Sequence, residues 1–182
     1  MKILFMKKLI LTLMLSISFF ASQVNSAQVT YDYLNKTLNE IKGWAGSYAS
    51  PWVYYDRNVC GERYGITAYV CGNYLQLGTQ FLQNLENRYP LVAKGIFAHE
   101  WGHSIQNKRN IRYNVPYQEL QSDCFSGSFT YYGENTLGYR GLYNSTSMSA
   151  YNAGDATHGT GSQRQYYVRK GYNTRGNPNG CF

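Results

Sequence analysis

The stretch IFAHEWGHSIQ, Ile96 to Gln106, places His99 and His103 four residues apart, with Glu100 directly after the first. The whole chain of 182 residues holds only three histidines. On a helix, residues four apart share a face, so the two imidazoles can be directed at one zinc ion while Glu100 sits beside them. Zinc lowers the pKa of a bound water toward ~7, and a carboxylate that takes its proton yields a nucleophile able to attack an amide carbonyl. With this composition, chance writes H-E-x-x-H on the order of 0.002 times per chain.

Two histidines need a third ligand, and three sources can be read. The extended pattern H-E-x-x-H-x-x-G-x-x-H fails, because Gln106 and Arg109 stand where its glycine and last histidine belong. In ELQSDC, Glu119 and Asp123 are again four apart on one helical face. Glu119 can bind the ion, and Asp123 can accept a hydrogen bond from the non-ligating nitrogen of a zinc histidine, most directly His99, fixing its tautomer. The last histidine, His158 in DATHGTGSQR, is either a third histidine ligand or a donor to the oxyanion of a tetrahedral intermediate. A solvated acidic face and a polar loop histidine are the plain alternatives for these residues. Their company with H-E-x-x-H favours the site roles.

These side chains need helices to carry them. Residues 91–108 are expected to form one helix, with Ile96, Phe97, Trp101 and Ile105 as its core face. Gly102 in mid-helix costs ~1 kcal/mol relative to alanine, which a close approach of a neighbouring helix would offset. Pro116 suits the first turn of the next helix, PYQELQSDCFSGSFTYY. Upstream, Leu34, Leu38 and Ile41 recur at helical spacing in a helix expected to end at Gly43. Residues 51–78 break into short β-branched and aromatic runs that read as two or three strands. TQFLQNLENRY follows as a helix with Phe81, Leu82 and Leu85 on one face and Thr79 as its N-cap. Beyond Gly133 the chain is rich in Gly, Asn, Ser and Tyr, with one helix expected at SQRQYYVRKGY, capped by Ser162. With no repeat and no linker, one domain is expected.

Composition places that domain. A hydrophobic fraction of 43% is that of a globular protein. Lysines at 2, 7 and 8, an apolar run from Leu9 to about Ala21 and small residues at Val24 and Ser26 read as a secretory signal peptide over residues 1–26, leaving a mature chain Ala27–Phe182. The apolar run is shorter than the ~20 residues a membrane span needs, so no stable anchor is expected after cleavage. Losing those three lysines takes the formal charge from +7 to +4. The remaining basic residues are scattered, and no nucleic-acid partner is expected. All four cysteines lie in the exported part, and an even count outside the cytoplasm points to two disulfides. Of three pairings, Cys60 with Cys71 and Cys124 with Cys181 closes a short loop and ties the C-terminus to the centre. No C-x-x-C pair supports a cysteine-zinc site. The chain is therefore expected in the periplasm or outside the cell.

Taken in order, Ala98–His103 with Gln106, Glu119–Cys124, and His158–Thr160 with Gln163 and Arg164 resemble the motifs of the bacterial neutral zinc metallopeptidase family. The resemblance extends to VCG at 59–61 and YVCGNYLQL at 69–77, and so covers roughly Cys60 to Cys181. It implies a compact gluzincin-like α+β domain, mainly helical with a small antiparallel sheet, that hydrolyses peptide bonds in a peptide or protein substrate. It implies one zinc ion on His99, His103 and Glu119, with Glu100 as base and Asp123 as support. His158, as a second catalytic residue, and Arg164 match the late motif as further site candidates. NYLQLG would be the edge strand to which a substrate adds. The sequence departs from the family at NRYPLVAKGI, before the zinc helix, and in stopping at Cys181-Phe182. A rival reading is a zinc-stabilised binding module of the cell envelope, whose structural ion would be closed by four protein ligands.

Overall fold

A computed structural model describes residues 26–61 and 67–182. The expected signal peptide, apart from Ser26, lies outside the described residues. The chain is α+β, mainly helical with a small three-stranded sheet among the described residues. Helix α1, Tyr31–Ala45, starts at Thr30, whose hydroxyl accepts the Tyr33 N–H at 3.1 Å. It runs past Gly43, where the sequence suggested an end. Trp44 is the reason: it packs edge-on to Phe129 at 5.5 Å and donates its indole N–H to the Gly176 carbonyl at 3.0 Å, which outweighs the poor helix propensity of one glycine.

Strands β1 (Trp52–Tyr55), β2 (Ala68–Cys71) and β3 (Tyr74–Leu77) are ordered β1-β3-β2. The antiparallel expectation holds for β2 and β3, joined by a tight turn in which Gly72 takes a φ of 55°. β1 instead runs parallel to β3, so the sheet is mixed. A parallel neighbour needs a long crossover, and residues 56–73, with β2 among them, provide one. Gln76 on β3 is buried and accepts the Val59 N–H at 2.9 Å, which ties the start of that crossover down. The disulfide Cys60–Cys71 closes it.

Helix α2, Thr79–Glu86, begins after Gly78. Thr79, the expected N-cap, is its first residue; Asp56 caps it instead, accepting the Thr79 N–H at 2.8 Å and its hydroxyl at 2.7 Å. Helices α3 (Val92–Lys108) and α4 (Tyr117–Asn135) form the centre and are buried on most sides. Phe97, Trp101 and Ile105 join Phe125 and Phe129 in the core, with Leu75 and Leu77 from the sheet. Gly102 faces α4: a Cβ there would lie 3.1 Å from the Ser122 Cα and the Phe125 ring, as the close-approach argument anticipates.

The region beyond Gly133 holds two helices rather than one, α5 (Leu142–Asn152) and α6 (Gly161–Tyr172). Thr160, not Ser162, caps α6 in a reciprocal box with Gln163, because the Thr160 hydroxyl meets the Gln163 N–H while the Gln163 side chain returns to the Thr160 N–H at 2.9 Å. Helix α6 lies directly on α4 at two glycines. A Cβ on Gly127 would sit 1.9 Å from the Val168 carbonyl oxygen, and one on Gly171 would sit 1.8 Å from that of Cys124. The final turn, Pro178–Cys181, returns to α4 through the second disulfide, Cys124–Cys181. Two disulfides point to an oxidising, exported environment. No helix among the described residues is long and apolar enough to cross a membrane.

Candidate metal centre

The close contact of α3 and α4 at Gly102 brings their polar residues to one point. The Nε2 atoms of His99 and His103 are 3.2 Å apart, and the Glu119 carboxylate lies 3.2 Å from the first and 3.4 Å from the second. One ligand atom from each of the three lies within 4.8 Å of the others, the separation of donors that share a metal ion.

The surroundings dictate which nitrogen of each ring faces that point. His99 turns its Nδ1 to Asp123 at 2.9 Å. An ionised carboxylate only accepts, so this nitrogen carries a hydrogen, and Nε2, which has a lone pair whenever the ring is neutral, is the nitrogen turned to the centre. His103 Nδ1 lies 3.0 Å from Gln106 Oε1 and 3.1 Å from Ser122 Oγ. The Gln106 amide nitrogen already donates to the Gln118 carbonyl and to Gln121, which leaves its oxygen to accept from His103. With both rings neutral, two lone pairs and a carboxylate converge, an arrangement that repels itself unless a proton or a metal ion stands among them.

The ionisation of these groups expresses the same demand for positive charge. Burial works against a charged His99, yet the hydrogen bonds and charges of Asp123 and Glu119 push it up to about 10. Glu119 is held well below the usual carboxylate range by His103 and His99, against its own burial. Glu100, buried beside them and lining the same cavity, is raised by burial, with the nearby histidines opposing.

Arg164, from α6, grips Asp123 with two bonds of 2.8 Å, Nε to one oxygen and Nη2 to the other. Burial opposes Asp123's charge, but Arg164 and His99 keep the carboxyl below its ordinary value. The sequence reading reached Arg164 only through its motif; its task is to orient the residue that orients His99. His158 stands at the rim, with Nε2 4.0 Å from Glu119 and Nδ1 2.9 Å from Asp155. Among the described residues the converging group comprises His99, His103 and Glu119, with His158 outside it.

Sequence reading missed three supports. Asp155 accepts the N–H groups of Thr157 and His158, both at 2.7 Å, besides facing the His158 ring, so it shapes the loop that presents this histidine. Its signal was an Asp three residues before a His in a Gly/Thr-rich loop. Ser122 and the buried end of Gln106 had no signal beyond lying inside motifs already noted.

The centre opens into a cavity of 640 Å³. Ala68, Tyr69 and Val70 of β2 form one wall, and Phe81, Val92 and Ile96 form an apolar stretch beside them. The strand at this wall is the edge strand β2. NYLQLG, expected at the edge, is β3 and lies in the middle, since the parallel addition of β1 covers its other side. Comparison with protein-family models, with curated proteins and with solved structures found no match for the chain. Two histidines and a glutamate on two packed helices, placed so that they could hold a metal ion, are the class of site its geometry defines.

Proposed function

We propose that the protein is an exported zinc-dependent metallopeptidase, of the gluzincin kind that its ordered motifs resemble. The observation that carries this reading is the convergence of His99, His103 and Glu119 with Glu100 beside them, in the lining of a cavity bordered by β2, the edge strand of the described sheet. Two neutral imidazoles and one carboxylate are the donor set of hydrolytic zinc sites, and three protein donors leave a coordination position for water. A zinc ion held there would supply Lewis acidity, polarising a scissile carbonyl and acidifying a water.

The chain's own residues supply the remaining steps. An extended peptide adds to β2, and its backbone is aligned over the centre. Glu100, raised by burial, is a stronger base than an exposed carboxylate; it takes a proton from the attacking water and passes it to the departing amine. His158, held by Asp155, donates a hydrogen bond to the oxygen that gains charge. Asp123 and Arg164 keep His99 in one tautomer throughout.

Zinc analysis and peptide-library cleavage on the purified protein test the proposal. Glu100→Gln is expected to retain one zinc per chain and lose turnover by ~10²–10⁴-fold. Cleavage at the wild-type rate by purified E100Q would overturn the mechanism. Glu119→Ala is expected to lose zinc. An unchanged metal content would move the third ligand to His158, and a fourth protein ligand would favour the structural-zinc binding module.

A further inference from the structure

One buried acid lies outside the metal centre and has a different task. Glu86, at the end of α2, is fully buried. Its carboxylate accepts the N–H of Leu91 at 2.6 Å and that of Ala93 at 3.0 Å, so it holds the first turn of α3, the helix that carries His99 and His103. Leu91 is kept at a φ of 74°, a left-handed conformation that costs a branched residue energy and needs such a restraint. Among the described residues no Lys, Arg or His side chain forms an ion pair with Glu86, and nearby Lys94 is bound to Glu40 at 2.6 Å. A buried carboxylate with neutral hydrogen-bond donors is costly to ionise: burial raises the Glu86 pKa, with those donors and the more distant Lys94 opposing, so a cation in direct contact would stabilise its charged form.

The backbone N–H of Ala27 lies near this carboxylate and helps to lower its pKa against burial. Its position is held from both sides by Gln83, whose amide donates to the Ala27 carbonyl at 3.2 Å and accepts the Val29 N–H at 2.7 Å. Ala27 is the residue that directly follows the cleavage point read from Val24 and Ser26. We infer that Glu86 is the docking site for a free α-ammonium on Ala27, created by removal of the signal peptide, and that this ion pair locks the start of the metal-binding helix. The inference rests on the export reading and is independent of peptidase activity.

The covalent step is hydrolysis of the Ser26–Ala27 amide by the leader peptidase of the exporting cell. Water's oxygen goes to the Ser26 carboxylate, and the Ala27 nitrogen, taking a proton at neutral pH, becomes an ammonium. A single neutral donor becomes three donors and a positive charge without moving residues 27–29. The other titratable groups facing the carboxylate are Lys94 from α3 and Tyr33 from α1.

The test uses protein exported and processed from the full chain. Mass spectrometry of the N-terminal peptide is expected to show a start at Ala27. The rate of acetylation of that α-amine, followed against pH, then reports its pKa. An ion pair raises it above the ordinary ~8 and slows acetylation about tenfold per unit at neutral pH, whereas burial alone lowers it. Glu86→Gln is expected to remove the protection. A start at another residue, an α-amine pKa at or below that of the unfolded chain, or equal protection in E86Q overturns the inference; should E86Q fail to fold, the wild-type pH profile alone decides. A chain still beginning at Met1 overturns the export reading as well, while zinc content, measured on the same sample, judges the metal centre separately.

Discussion

Arg164 shows at the scale of single residues how far the candidate metal centre extends beyond the three residues that could hold an ion. Its two bonds to Asp123 fix the carboxylate that fixes His99, so Arg164→Lys, which keeps the charge but loses the paired geometry, should weaken zinc binding by roughly 10–100-fold. Competition with a chromophoric chelator measures this directly. Removing the positive charge altogether, as in Arg164→Ala, leaves Asp123 buried against one histidine and should cost about 3–5 kcal/mol of stability, read from urea unfolding. The sign with pH follows from Asp123's lowered pKa: its contribution is present above the ordinary value of 3.8 and is lost as pH falls through the lower folded value.

Among the elements, the placement of α6 is decided by glycines rather than by an apolar stripe. Gly127 and Gly171 let two backbones meet where any side chain would strike a carbonyl oxygen, and that contact is what carries Arg164 to Asp123. Gly171→Ala should therefore lower the unfolding midpoint substantially, by more than the ~1–3 kcal/mol of ordinary overpacking, and should reduce zinc affinity together with it. Gly102→Ala meets the Phe125 ring and Ser122 at the softer distance of 3.1 Å and should show a smaller loss of both; calorimetry and metal analysis on the two variants give the order. The helix α5 was invisible in the sequence because its inward positions include Thr146 and Ser147 beside Leu142 and Ala150. A hydrophobic count reads such a face as polar, and only packing against its neighbours buries it.

For the whole molecule, the Cys124–Cys181 bridge and the candidate metal centre share one helix, α4. Cys124 is the neighbour of Asp123, and Glu119 lies one turn earlier. Replacing both cysteines by serine should cost about 2–5 kcal/mol, and zinc should restore part of the lost thermal midpoint by binding only the folded state. Chelation of the wild type should lower its midpoint in turn, with differential scanning calorimetry as the measure.

Much of the centre was legible from spacing alone, for a local reason. Four-residue intervals on a helix put His99 with His103 and Glu119 with Asp123, and the helix makes those pairs neighbours whatever the rest of the chain does. The α+β character and the Cys60–Cys71 bridge, 11 residues apart, were legible on similarly local grounds, and once that pair is assigned the two remaining cysteines, 57 residues apart, have only each other. What tertiary structure decided is everything that joins one segment to a distant one. The parallel pairing of β1 moved NYLQLG to the middle of the sheet, Trp44 carried α1 past its glycine, and Asp56 took the cap expected of Thr79. Arg164 reached Asp123 across 41 residues of chain. Spacing in one segment records the geometry of that segment, while contacts between segments depend on which surfaces can approach, and that is set by volume, charge and backbone clearance in three dimensions.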